Sequence, residues 1–206
     1  MKRIMKVEGA RNIEKESFFP MVIGLGGLSE GGKSTAGVFL EQQLGIKRMK
    51  IRSCIGLMIG SQDFNVVDGY TDNHSSETSF WRDFTSFLIQ YLKQNNIEAC
   101  GLESFRREGL VTALREQLGN RFALIYIEAP EIARAERQQG KFTSLAESFD
   151  DIRKRDEEKI FHGATALREL ADFVIINDKS EEDFLKTIGK IGRALIEQAP
   201  NSGMLR

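Results

Sequence analysis

A glycine-rich turn between a short apolar run and a helical segment constrains this chain more than any other feature. Met21-Val-Ile-Gly-Leu25, with Pro20 before it, has the pattern of a buried strand and runs straight into Gly26 and Gly27. Gly32 to Gln43 reads as a helix, with Val38, Phe39 and the following Leu44 as its apolar positions and Gly45 as its stop. Between the two lies Gly27-Leu28-Ser29-Glu30-Gly31-Gly32-Lys33-Ser34, followed by Thr35. The segment satisfies G-x-x-x-x-G-K-[ST] in the strand-then-helix context that this spacing requires. Its glycines let the backbone turn inward, so that successive N–H groups face phosphate oxygens. The helix that follows adds the partial positive charge of its N-terminus. Lys33 is then placed for the β- and γ-phosphates and the Ser34 hydroxyl for Mg²⁺, with Thr35 in support. All nine residues from Gly27 to Thr35 are candidates for holding a nucleoside triphosphate. Glu30 is an unusual acid in such a loop and is expected to turn to solvent or to a basic neighbour.

The rest of the chain alternates in the same way. Strands are expected at Arg48 to Ile51, Ile97 to Glu103, Phe122 to Glu128 and Asp172 to Ile176. Helices are expected at Cys54 to Ile59, along the stripe of Phe80, Phe84, Phe87, Leu88, Tyr91 and Leu92 with Trp81 at its edge, and over Glu108 to Leu118. Further helices follow Pro130, cover Ser148 to Phe161 and Ala164 to Leu170 with a break near Gly163, and cover Ser180 to Gln198. Ser61 to Ser76 is rich in Asp, Asn, Ser and Gly and reads as a long binding loop, part of an acceptor-side loop over about 61–78. Residues 138–148 read as a mobile lid, 1–17 as an extension and 200–206 as a tail, leaving one domain over 18–199. Five apolar strands alternating with helices imply an α/β three-layer sandwich around a five-stranded, mainly parallel sheet, with ligands at the carboxyl ends of the strands.

Composition narrows the function classes. The chain has 206 residues, 41% hydrophobic and 29% charged, which is enough to build one full core and excludes a disordered chain. No run of eighteen apolar residues exists, so no membrane span is expected, and Glu8, Arg11 and Glu14 interrupt any signal-peptide core. Cys54 and Cys100 have no metal or disulfide spacing and read as reduced, buried thiols of a cytoplasmic protein. His74 and His162 have no spaced partner for a metal or a catalytic triad. The formal net charge of −1 gives no support for a nucleic-acid track. Between Gly101 and Leu170, however, nine arginines stand against three lysines, and the forked guanidinium suits bidentate contact with phosphate.

Strand ends supply the remaining candidates. Glu103 ends its strand beside the phosphate loop, where it would organise Mg²⁺ together with Ser34 or orient an attacking hydroxyl, and Arg106 and Arg107 stand at the mouth of the site. Arg134 and Arg137 lie one turn apart on one helix face, and Arg153, Arg155 and Asp156 repeat the theme. Asp63, Asp68 and Asp72 are candidates for contacting acceptor hydroxyls, alongside the alternative of solvated loop acids.

The phosphate loop, Glu103-Ser-Phe-Arg106, Arg134-x-x-Arg137, Arg155-Asp156 and Ala171-Asp-Phe-Val-Ile-Ile-Asn177-Asp178 occur in that order. In this the chain resembles P-loop kinases of the nucleoside monophosphate kinase group, among them dephospho-coenzyme A kinase and its archaeal relatives, over roughly residues 21–196. The resemblance implies a lid that closes over ATP and transfer of the γ-phosphoryl group to a small acceptor. It places Arg106 on an acceptor phosphate, Arg134 and Arg137 as lid-flanking arginines, Arg155 toward the transferring phosphate, and Asn177 and Asp178 against the adenine. Where the coenzyme A enzymes carry an acidic residue after the second strand, Arg52-Ser53 stands here, and Glu103 stands for the commoner aspartate.

These readings define an expected ATP- and Mg²⁺-dependent kinase for a nucleotide or nucleotide-like acceptor. Lys33, Glu103 and Arg155 would be its catalytic residues, and Arg52, Asp68 and Arg106 would meet the acceptor. A nucleotide-dependent ATPase switch and a kinase acting on nucleic acid stay open as alternatives. The acceptor and the oligomeric state are not legible.

Overall fold

The computed structural model describes residues 18–138 and 144–198. The expected extension over 1–17, the tail over 200–206 and the centre of the expected lid lie outside the described residues. Five parallel strands form one sheet: β1 (Met21–Gly26), β2 (Lys47–Lys50), β3 (Ala99–Phe105), β4 (Phe122–Glu128) and β5 (Phe173–Ile176), in the order β2-β3-β1-β4-β5. Nine helices surround it among the described residues: α1 (Lys33–Leu44), α2 (Ile51–Ile59), α3 (Phe64–His74), α4 (Thr78–Gln94), α5 (Glu108–Leu118), α6 (Glu131–Gln138), α7 (Leu145–Phe161), α8 (Leu167–Leu170) and α9 (Glu181–Gln198).

Alternation along β1 explains the layers. Met21, Ile23 and Leu25 point to the face covered by α1 and α9, where Leu40, Phe184 and Ile188 close the core. Val22 points the other way, into a larger core built from α2, α4 and α5, with Phe84, Leu88, Phe105 and Leu114 at its centre. Burying both faces is why β1 and β4 read as nearly continuous apolar runs. Trp81, expected at the edge of its stripe, is buried and gives its indole N–H to the Ser75 carbonyl.

The expected loop at Ser61 to Ser76 is a helix instead. Asp63 caps α3 by accepting the Asn65 N–H at 2.8 Å, and Val67, Tyr70, Thr71 and His74 recur at helical spacing beneath the polar residues. Tyr70 and His74 stack on one another and lean on Phe80 of α4. The sequence hid this helix because its solvent face carries Asn65, Gly69 and Asn73. Asp63 is therefore a cap. The second strand starts and ends one residue earlier than expected, because Ile51 opens α2. The third runs from Ala99 on to Phe105, and the segment after Gly163 is helical only over Leu167–Leu170. Among the described residues no helix is long and apolar enough to cross a membrane.

Candidate active site

The carboxyl ends of β1 and β3 place the phosphate loop and Glu103 side by side, because the two strands are paired in register up to Leu25 and Glu103. At that point the register slips: Gly26 pairs with Phe105, and Ser104 is left over with a φ of +76°. The loop itself turns at Gly32, whose φ of +111° is open to glycine and which leads directly into Lys33 at the start of α1.

The loop residues Ser29 to Thr35 wall a cavity of about 540 Å³, joined by Arg137, Arg155, Lys159 and Asn177. Gly27 and Leu28 lie behind it, and Lys33 donates its ammonium to the Leu28 carbonyl. Burial, and then the neighbouring Lys159 ammonium, push Lys33 down to about 7. Arg137 binds the carbonyls of Glu30 and Asn177 at 3.0 and 3.2 Å, and the Asn177 side-chain amide donates to the Gly31 carbonyl at 2.9 Å. Glu30 turns to the Gln138 amide at 2.9 Å and to Arg155 at 3.4 Å, the basic-neighbour outcome of the two expected. Arg155 is also paired with Asp151, one turn before it, at 2.7 Å.

Arg134 stands elsewhere. Its guanidinium is buried behind the loop, bound to the Asp156 carboxylate and to the Ser29 carbonyl, and it does not wall the phosphate cavity. Asp156 accepts the Ser29 N–H at 2.8 Å, so this ion pair ties α6 and α7 to the phosphate loop. Burial pushes the Asp156 carboxyl up, but the Arg134 guanidinium and the hydrogen bonds from Ser29 outweigh it and hold it below the usual carboxylate value. Asp178 is exposed and lines neither this cavity nor the next one.

A second cavity, of about 370 Å³, opens between the end of β3 and helices α2, α3, α4, α5 and α7. Arg52, Asp68 and Arg106, the three expected acceptor residues, all line it, together with Glu103. Its floor is apolar, from Ile51, Ile55, Trp81 and Leu110. Its arginines already have partners: Arg52 with Asp68 at 2.8 Å, Arg106 with Glu158 at 2.9 Å and Arg107 with Asp72 at 3.7 Å. The two cavities share Ser34 and Ser104.

Glu103 is buried at this junction, with the Ser34 hydroxyl 3.4 Å from Oε2. A hydroxyl beside a buried carboxylate is an oxygen donor set of the kind Mg²⁺ takes, alongside phosphates and water. Among the described residues there is no group of three or more His, Cys, Asp or Glu side chains that could cage a metal by themselves. Burial pushes both thiols, Cys54 and Cys100, well above the ordinary thiol value, so neither is a nucleophile.

Sequence reasoning passed over three residues of the site. Arg48 of β2 clamps Glu103, Lys50 at the end of the same strand lines the second cavity, and Lys159 enters the first cavity from α7. The signal for Lys159 was its place one turn beyond Arg155 on one helix face. For Arg48 it was the pairing of β2 with β3, which adjacency in sequence does not show.

No protein-family model matches the sequence. A stretch of 115 residues is 29% identical to a UPF0200/UPF0201 protein of Archaeoglobus fulgidus, covering 55% of this chain and 34% of that protein. The chain thus matches about a third of that relative's length. Among solved structures, TT1252 from Thermus thermophilus aligns with a TM-score of 0.55 at 16% identity over 85% of this chain and 97% of its own. An uncharacterized protein from Eubacterium ventriosum aligns at 0.58 and 10% identity over 85% and 98%. A gluconokinase from Sinorhizobium meliloti aligns at 0.52 and 14% identity over 88% and 99%. The chain has the P-loop kinase fold: one all-parallel five-stranded sheet with helices on both faces and the phosphate loop after β1.

Proposed function

We propose that this chain is an ATP- and Mg²⁺-dependent small-molecule kinase that moves the γ-phosphoryl group to a nucleotide or nucleotide-like acceptor, of the nucleoside monophosphate or dephospho-coenzyme A class. The observation that carries this reading is the junction of two cavities, one walled by the phosphate loop and one by Arg52, Asp68 and Arg106, meeting at Ser34 and Ser104. A switch or simple ATPase has no use for the second, partly apolar cavity with cations at its mouth. The gluconokinase of the same fold is in keeping with a small-molecule acceptor.

Phosphoryl transfer asks the protein for positioning and charge more than for covalent chemistry. The loop N–H groups and Lys33 hold the β- and γ-phosphates, Arg137 and Arg155 border the same cavity, and Asn177 fixes the loop at Gly31. The Ser34 hydroxyl and the Glu103 carboxylate would hold Mg²⁺, which would supply charge that neutralises the phosphates. Arg106 takes the acceptor's anionic group, and Arg52 with Asp68 holds its hydroxyls. The two cavities meet at Ser34 and Ser104, so an acceptor oxygen held in the second would face the phosphates held in the first.

Release of ADP from Mg-ATP, followed with ribo- and deoxyribonucleoside monophosphates, dephospho-coenzyme A and short oligonucleotides as acceptors, tests the reading. Turnover stimulated by a small acceptor and abolished in Lys33→Ala is the expected result. Full activity in that variant, or stimulation by oligonucleotides alone, overturns it.

A further inference from the structure

Helix α7 presents Arg155 and Lys159 one turn apart to the phosphate cavity, while Glu158 of the same helix and His162 just beyond its end line the acceptor cavity. The helix is fixed against the loop by Asp156, which accepts the Ser29 N–H and binds Arg134. Lys159 therefore has a set position, and its ammonium lies 2.5 Å from the Ser29 hydroxyl. That hydroxyl is the one hydrogen-bond partner described for it, and Lys159 makes no ion pair among the described residues. The Asp156 and Glu30 carboxylates act on this half-buried ammonium, but each is bound to an arginine, so an anion entering the cavity would meet a cation that is not spent on an ion pair of its own. Burial, and then the Arg106 guanidinium, push this ammonium down to about 8.

We infer that Lys159 is a catalytic residue of this site, a second ammonium that grips the γ-phosphoryl group while Lys33 holds the loop side of the phosphates. This rests on the kinase reading above. During transfer the bond from the bridging oxygen of ATP to the γ-phosphorus breaks as the bond from the acceptor oxygen forms. ADP leaves with the bridging oxygen, and a proton carried by the acceptor oxygen goes to water. Lys33 and Lys159 stay protonated throughout and stabilise the charge on the three γ-oxygens.

The test is differential binding, which needs no knowledge of the acceptor. Affinities of a non-hydrolysable ATP analogue and of ADP are measured for the wild type, Lys159→Gln and Lys159→Arg. Lys159→Gln should weaken the triphosphate about tenfold more than the diphosphate, and Lys159→Arg should restore most of the difference. Retained ADP binding shows that the variant is folded. Equal loss for both ligands, or no loss, overturns the assignment. The untouched protein gives a second measure: amine acetylation at Lys159 should be protected by the triphosphate analogue and much less by ADP, and equal protection overturns the assignment. Lys33→Ala separates the two levels of the argument. If that variant binds both nucleotides as the wild type does, the phosphate-site reading itself has failed; if it loses both while Lys159→Gln loses neither, the assignment of Lys159 alone has failed.

Discussion

The Arg48 guanidinium holds both carboxylate oxygens of Glu103, with Nε 2.5 Å from Oε1 and Nη2 3.2 Å from Oε2. The clamp crosses from β2 to β3 and lies against α1, where Gly37 leaves room for it. A carboxylate gripped by a fork on both oxygens is well placed to orient what sits at Ser34, and poorly placed to take a proton from the acceptor. In the proposed kinase Glu103 would therefore organise the site and not act as its base.

Gly37 gives this clamp a test with an unusual sign. Alanine for glycine inside a helix ordinarily stabilises by about 1 kcal/mol. Here the new Cβ would fall within contact distance of Glu103 Oε1, with Arg48 Nε close behind. We expect Gly37→Ala to destabilise the protein by roughly 2 kcal/mol in urea unfolding, since overpacking a buried ion pair outweighs the helix preference. Unchanged or increased stability would show that the clamp can shift without cost.

Ser104 carries strain at the junction of the two cavities. A φ of +76° is unfavourable for serine, and its place as the extra residue in the β1–β3 pairing keeps it there. Ser104→Gly should raise stability by about 0.5–1 kcal/mol, and Ser104→Val should lower it, both by urea unfolding. A loss of stability in the glycine variant would mean that the serine side chain makes a contact worth more than the strain.

The two lysines set a pH dependence with a defined direction. Lys33 titrates at about 7 and Lys159 at about 8 in the folded chain, against 10.5 for an ordinary lysine. Across that interval the unfolded chain binds more protons, so these groups make the unliganded protein more stable as pH rises. Phosphate binding has the opposite sign. An anion beside the ammonium groups raises their pKa values, so binding takes up protons and weakens once the free protein has lost them. Calorimetry without Mg²⁺ should show the affinity of a non-hydrolysable ATP analogue falling about fivefold or more between pH 7.5 and pH 9.5. A flat profile would show that neither ammonium meets phosphate.

How much of this was legible in the sequence follows from how far apart the interacting residues are. The phosphate loop, the buried strands and the five-stranded parallel sheet were readable because each is encoded within a few consecutive residues. Helix α3 was hidden because Val67, Tyr70, Thr71 and His74, its inward face, are interrupted by Asp68, Gly69, Asp72 and Asn73, which are turn residues by composition. Arg134 looked like a phosphate ligand because its spacing from Arg137 puts both on one helix face. Its buried partner Asp156 lies on α7, and only the packing of α6 on α7 brings the two together. Arg48 and Glu103 are 55 residues apart, and their pairing depends on strand order.

In the proposed kinase, Arg106 and Glu158 would bear on the acceptor most directly. Their ion pair, at 2.9 Å with Glu158 largely exposed, contributes little to stability. Its effect is on occupancy: in the unliganded protein the Glu158 carboxylate takes the guanidinium that an anionic acceptor needs, so the acceptor must displace it. Glu158→Gln removes that competition and should lower the acceptor KM about two- to fivefold with kcat little changed. Arg106→Ala should raise the KM about tenfold or more, because the anion then loses its forked partner. Steady-state kinetics with the acceptor found by ADP release checks both. A higher KM in Glu158→Gln would show instead that this carboxylate binds the acceptor itself, through a hydroxyl or an amine.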